Sequence, residues 1–264
     1  MYPLTCVIFA TLTMHSVALV TENREFIKAV SKLRESNGTL NGVLPFAVPF
    51  HASIQVNLIT GYKHLCGGSI IHAQVIMTAA HCFYERHPTR LLSVVAGVQQ
   101  LSLEPSPRYP VSRVVQHESY SPFRGYDIAL VWLKTPLPID GSKIDTVDYR
   151  ITENMEQSKE AYLIGWSSTQ KMLEVVDFTT INSKDCRRLG FKSITSSDLC
   201  AYSKKGRGAC DGDSGGALLS ANMTKQLGIL SYGKTICKPN HIYVYTHILR
   251  LVSWIDANIK SSFG

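Results

Sequence analysis

Ala209-Cys210-Asp211-Gly212-Asp213-Ser214-Gly215-Gly216-Ala217 is the stretch around which the 264-residue chain is organised. A serine stands between Gly-Asp and Gly-Gly, with a cysteine four positions upstream. Glycine has no Cβ and adopts positive φ, so the backbone can turn sharply on both sides of the serine. A tight turn can aim successive N–H groups at one point, which is what a developing oxyanion requires. Ser214 is therefore a candidate nucleophile, and the Gly212 and Ser214 N–H groups are the candidate oxyanion hole. Without a base and a group to orient that base, the same residues make only an ordinary glycine-rich turn with a capping serine.

Outward from this turn, the segments read as short strands. From Pro49, Phe50, Ala52, Ile54 and Val56 alternate with His51, Ser53 and Gln55, the pattern of a half-buried strand. Short apolar runs follow at Ser69–Ile71, Val75–Thr78, Leu91–Val98, Ile128–Leu133, Ala161–Trp166, Gln226–Tyr232 and Ile242–Tyr245, separated by turn residues. This spacing predicts an all-β sandwich or barrel. Ile248, Leu251, Val252, Ile255 and Ile259 then recur at helical spacing, which predicts an amphipathic C-terminal helix with Thr246 as its start.

The amino-terminal end differs. Residues 1–18 read as a signal peptide, with an apolar stretch from Leu4 to Val17 and small residues at Ser16 and Ala18. The stretch is too short and interrupted for a membrane span, so a secreted, extracellular protein is expected. Cys6 would leave with the signal, and six cysteines would remain: Cys66, Cys82, Cys186, Cys200, Cys210 and Cys237. In an oxidising compartment an even count implies three disulfides, with the pairing left open. Export and the even count also argue against zinc on His64, Cys66, His81 and Cys82, so no metal and no cofactor are expected. Residues 19–34 are charged, with Phe26, Val30 and Leu33 at helical spacing and nothing nearby to cover them. They read as a pro-segment, with a helix that stays attached as the other reading. The protein domain is then 35–264. Asn37-Gly38-Thr39 and Asn222-Met223-Thr224 are glycosylation sequons. The net charge of +7 comes without a Lys/Arg run, so no nucleic-acid partner is expected.

The candidate base is His81, in Thr78-Ala79-Ala80-His81-Cys82. Small residues leave room around the ring, and Cys82 can tether it. His64, His72, His87, His117 and His241 have no such context and read as surface residues. The candidate orienter is Asp127, at the head of the apolar run Ile128-Ala129-Leu130, where a part-buried acid needs a partner.

Taken together, Cys66-Gly67-Gly68-Ser69-Ile70, Thr78-Ala79-Ala80-His81-Cys82, Asp127-Ile128-Ala129-Leu130, Gly165-Trp166, Gly212-Asp213-Ser214-Gly215-Gly216 and Trp254-Ile255 resemble the chymotrypsin-like, trypsin-fold (S1) serine proteases. The chain order His, Asp, Ser is that family's order. The resemblance covers about Asn37 to Ile259. It implies two packed six-stranded antiparallel β-barrels with a C-terminal helix, and catalytic residues His81, Asp127 and Ser214 in the cleft between the barrels. It implies the bridges Cys66–Cys82, Cys186–Cys200 and Cys210–Cys237. It implies hydrolysis of a protein or peptide substrate by a monomer, with an activating protease and protein inhibitors as further partners. Ser231-Tyr232-Gly233 matches the segment that pairs with substrate backbone, with Tyr232 in place of the usual tryptophan. Gly208 would floor the primary specificity pocket, and Gly233 and Tyr243 would wall it. An uncharged floor predicts no preference for Arg or Lys, and the Tyr243 phenol predicts a pocket that is short or blocked. Ser167 and Ala217 replace a common glycine and proline.

Zymogens of this family are cut after a basic residue, and the freed ammonium pairs with the aspartate before the nucleophile, here Asp213. Arg34-Glu35-Ser36-Asn37-Gly38 is the best match to such a bond. A glutamate at that terminus would carry negative charge toward Asp213. The second functional reading is a catalytically silent homologue that acts by binding, as a regulator.

Overall fold

The computed structural model describes residues 26–32, 42–85, 87–101, 106–151, 159–166, 172–203, 207–234 and 237–263. The signal peptide, Cys6, Leu33, Arg34, Glu35, the Asn37 sequon and Ser167 lie outside them.

The first barrel is built from β2 (His51–Leu58), β3 (Gly61–His72), β4 (Val75–Thr78), β5 (Leu92–Ala96), β6 (Tyr109–Gln116) and β7 (Ala129–Leu133). These strands close in the order β2-β3-β4-β7-β6-β5, all antiparallel. The second contains β8 (Glu160–Trp166), β9 (Leu173–Ile181), β10 (Asp198–Ser203), β11 (Ala217–Ser220), β12 (Gln226–Gly233) and β13 (Ile242–His247). It runs β9-β10-β13-β12-β11-β8 and closes through a β8–β9 pairing, with the short β1 (Gly42–Val43) added beside β9. Closure satisfies the edge groups that an open sheet would expose. Val, Ile and Leu fill both interiors, with Ile54, Ile76, Leu130, Leu163, Leu218 and Ile229 fully buried.

Helix α1 includes residues 26–32, α2 is Ser183–Arg188 and α3 is Val252–Phe263. Asn182 caps α2 by accepting from the Asp185 N–H at 2.9 Å. The C-terminal helix starts later than the spacing predicts. Thr246 belongs to β13, its hydroxyl donating to the Asp127 carbonyl at 2.7 Å, and the chain makes a 3-10 turn at Ile248–Arg250 before α3. The apolar stripe still serves, with Ile248, Leu251 and Ile255 buried. The expectation that nothing covers the amino-terminal stripe is corrected. Phe26 and Val30 are buried, and Phe26 meets Phe46 and Phe50 edge-on, each at 5.8 Å between ring centroids. Aromatic packing of this kind adds about 0.5–1.5 kcal/mol per pair beyond area burial.

β2 is not half-buried. His51, Ser53 and Gln55 lie inside as fully as their apolar neighbours, because the second barrel covers that face and Trp166 lies on the His51 ring at 4.6 Å. Neither His51 ring nitrogen meets a described partner. Burial, with the nearby His64, lowers the His51 pKa to about 3. The fold therefore buries a neutral ring, while the unfolded chain takes up a proton near pH 6.5. Stability then falls as pH drops below 6.5, by about 1.4 kcal/mol per pH step for this group until the ring protonates in place. Urea unfolding of His51→Gln should show a shallower loss between pH 6.5 and 4.5 than the parent, by about 2–3 kcal/mol over that range. Parallel slopes in the two proteins would show that the ring does not carry this dependence.

Candidate active site

His81 sits in a 3-10 turn at Ala80–Phe83, directly after β4. The Cys66–Cys82 bridge ties that turn to β3, and Gln116 Nε2 donates to the Ala80 carbonyl at 2.8 Å. Asp127 immediately precedes Ile128 and β7, beside the β4 end that launches His81. One carboxylate oxygen accepts the His81 backbone N–H at 2.9 Å. The other lies 2.7 Å from His81 Nδ1 and also accepts the Ser231 hydroxyl at the end of β12. Burial opposes the charge on Asp127, but the His81 and Ser231 hydrogen bonds outweigh it and hold the carboxyl below its usual range. An ionised Asp127 fixes the proton on Nδ1 and leaves Nε2 as the basic atom.

Ser214 lies in the turn between Cys210 and β11. Gly212 and Gly215 take φ of 93° and 77°, the left-handed region open to glycine. A Cβ on Gly215 would stand 2.2 Å from Thr78 Oγ1, and one on Gly216 would stand 2.8 Å from the Asp213 carbonyl oxygen, so neither could carry a side chain. The turn is held from both barrels. The Ser214 carbonyl accepts the Gly67 N–H at 2.8 Å, and the Gly215 N–H donates to Leu230 at 3.0 Å. The Gly212 and Ser214 N–H groups donate to no described protein acceptor. Ser214, His81 and Gly212 share the wall of one cleft of about 780 Å³, with Lys63, His64, Asp211 and Trp166. Beyond His81 lies a second cleft of about 410 Å³, lined by Tyr84, Tyr120, Pro122, Phe123, Asp127, Ser231 and Tyr232. Phe123 meets Tyr232 edge-on at 5.2 Å.

The other sequence-derived positions are distributed around this cleft. Cys186–Cys200 and Cys210–Cys237 are bridged, as the resemblance implies. Cys66, Cys82 and His81 lie close together, but both sulfurs belong to the Cys66–Cys82 disulfide and offer no thiolate to a metal. Tyr243 pairs with Gly233 across β12–β13. It is 2% exposed, and its hydroxyl donates to the Lys238 carbonyl at 3.0 Å. A Cβ on Gly208 would lie 2.0 Å from that hydroxyl oxygen, so the phenol occupies the space above Gly208. Asn222 is exposed in the β11–β12 turn, and its side chain accepts from Thr224.

Two surface expectations fail. His64 is half-buried at the cleft wall, its ring tied to both barrels with Nδ1 2.8 Å from Ser53 Oγ and Nε2 2.8 Å from the Gly212 carbonyl; burial lowers its pKa. His117 is buried between Tyr126 and Trp254, at 4.7 and 4.9 Å between ring centroids. Local sequence around these two rings gives no sign of it, since Gly212 and Trp254, which complete their surroundings, lie far along the chain. Sequence reading also missed Arg207. Its guanidinium bridges the buried carboxylates of Asp213 and Glu174, with Nη2 3.3 Å from Asp213 Oδ1.

A model of the family described as Trypsin matches residues 44–255. Trypsin eta of Drosophila melanogaster is 34% identical over 206 residues, covering 74% of this chain and 77% of that protein. Trypsin eta of Drosophila erecta is 33% identical over 209 residues, covering 76% and 80%. Trypsin zeta of Drosophila erecta is 32% identical over 232 residues, covering 80% of each. With two closed six-stranded barrels and a family match over most of its length, this chain belongs to the trypsin family of serine proteases.

Proposed function

We propose that this protein is a secreted serine endopeptidase that opens peptide bonds through an acyl intermediate on Ser214. The observation that carries the reading is the Asp127–His81 pair at 2.7 Å, opening onto the same cleft as the Ser214 turn. In this mechanism His81 Nε2 takes the Ser214 proton as Oγ adds to the substrate carbonyl. The Gly212 and Ser214 N–H groups receive the resulting oxyanion. The C–N bond breaks as His81 hands the proton to the departing amine. Water then enters, loses a proton to His81, and releases the acid product and Ser214. Asp127 holds the ring in its reactive tautomer and stabilises the transient imidazolium.

The relatives are named trypsins, yet Gly208 offers no carboxylate to a basic side chain. With Tyr243 above Gly208, the substrate residue before the cleaved bond is small or medium and apolar. The three disulfides support an oxidising compartment, in keeping with residues 1–18 as a signal peptide and with glycosylation at Asn222. Among the described residues no helix is long and apolar enough to cross a membrane.

A fluorophosphonate probe tests the assignment. The expected result is stoichiometric labelling of the secreted protein and none of Ser214→Ala. A folded protein that fails to label would favour the second reading, a silent homologue that regulates by binding. Cleavage of Arg or Lys peptides at rates matching those of small apolar ones would overturn the specificity.

A further inference from the structure

The carboxylate of Asp213 is fully buried one residue from Ser214. It is wedged so closely that a Cβ on Gly165 would fall 2.1 Å from Oδ1. An ion in that position requires a counter-charge. The family resemblance assigns that task to an ammonium freed by cleavage. Here the charge comes from within the chain. Arg207 reaches Asp213 with two guanidinium nitrogens, donates to the Gly208 carbonyl at 3.0 Å, and holds Glu174 with Nε. Burial works against the guanidinium, and the two carboxylates outweigh it.

The rest of the turn is already set around this ion pair. Asp213 Oδ2 accepts the Cys210 N–H at 2.8 Å. On the other side His64 Nε2 sits 2.8 Å from the Gly212 carbonyl. The Gly212 and Ser214 N–H groups remain without a described acceptor. The chain upstream of Arg34 is seated as well, through Phe26 and Val30, and Gly42–Val43 pairs with Glu174 and Val175 on β9. A terminus freed at Glu35 would have to displace Arg207 while bringing a third carboxylate to a cluster that already holds two.

We infer that Arg207 is a positioning residue that takes the place of the activation terminus, so that the oxyanion turn is formed in the uncut chain. The inference rests on the hydrolase reading above. It makes reactivity of Ser214 independent of cleavage at Arg34, and dependent on a cation at position 207.

The test uses the full-length secreted chain and a fluorophosphonate probe. Arg34→Gln, which removes the basic residue at the bond, should label at a rate within about threefold of parent protein cut after Arg34, with the new Glu35 terminus checked by sequencing. Arg207→Met should label about 100- to 1000-fold more slowly, the usual cost of a lost oxyanion donor. Arg207→Lys should recover most of that rate, with the loss in peptide hydrolysis falling on kcat rather than KM. Labelling of cut but not uncut protein would overturn the inference and leave the hydrolase reading standing. Labelling of neither would overturn both. Arg207→Met that melts cooperatively and labels at the parent rate would also overturn it. The Arg34→Gln comparison decides the matter even if Arg207→Met does not fold.

Discussion

Asp127→Asn should lower kcat by about 10⁴-fold while leaving the protein folded, the loss typical of this substitution in a Ser-His-Asp triad. Asp127 makes three side-chain contacts in this structure, and all three accept: from the His81 backbone N–H, from His81 Nδ1 and from the Ser231 hydroxyl. An asparagine of the same size can satisfy only part of that set, because its amide nitrogen donates. Turned toward His81 Nδ1, the amide would make that nitrogen the acceptor and move the ring proton to Nε2. That atom could then no longer take the Ser214 proton. The effect should appear in kcat against a peptide substrate and in the rate of fluorophosphonate labelling, with an unchanged circular dichroism spectrum. A loss below tenfold would show that the carboxylate does not set the tautomer.

Tyr243→Gly should change what is cleaved more than how fast. The phenol fills the volume above Gly208 and is walled by Phe178, edge-on at 5.7 Å. Deleting it leaves a slot in β13 beside Gly233. Substrates with Phe or Tyr before the scissile bond should gain about 100-fold or more in kcat/KM over those with Ala, because each added methylene in a fitted pocket contributes about 1–3 kcal/mol to discrimination. The same deletion removes a buried aromatic residue, and stability should drop by about 3–5 kcal/mol. Peptide-library profiling reads the first effect and urea unfolding the second. An unchanged profile in a folded variant would mean that substrate does not approach Gly208.

The strands, the bridges and the cleft residues were legible to different degrees. Runs such as Val75–Thr78 and Ala161–Trp166 announce themselves because both faces are apolar and the segment is short. β6 does not, because Tyr109–Gln116 carries exposed polar residues on its outer side. β9 hides Glu174 inside, paired with Arg207. His81 and Ser214 stand out as candidates because small residues and a nearby cysteine surround each, and Asp127 because it heads an apolar run. Arg207 could not. Its meaning depends on Asp213 and Glu174 meeting it after the second barrel closes, and no local pattern encodes that. His51 was invisible for a related reason. Alternation in β2 predicts one wet face, and only the approach of Trp166 from the other barrel dries it.

The division into two barrels also orders events in time. The first barrel draws all six strands from His51–Leu133, and the second draws its six from Glu160–His247. A nascent chain can close the earlier sheet while the later one is still unmade, since domains generally fold as units during synthesis. At about 5–20 residues per second, the interval is on the order of ten seconds. During it the polypeptide carries His81 and Asp127 but neither Ser214 nor the Ser231 and Thr246 hydroxyls that hold Asp127 from the second barrel. A product truncated before the second barrel would therefore lack both the candidate nucleophile and two of the contacts that fix Asp127.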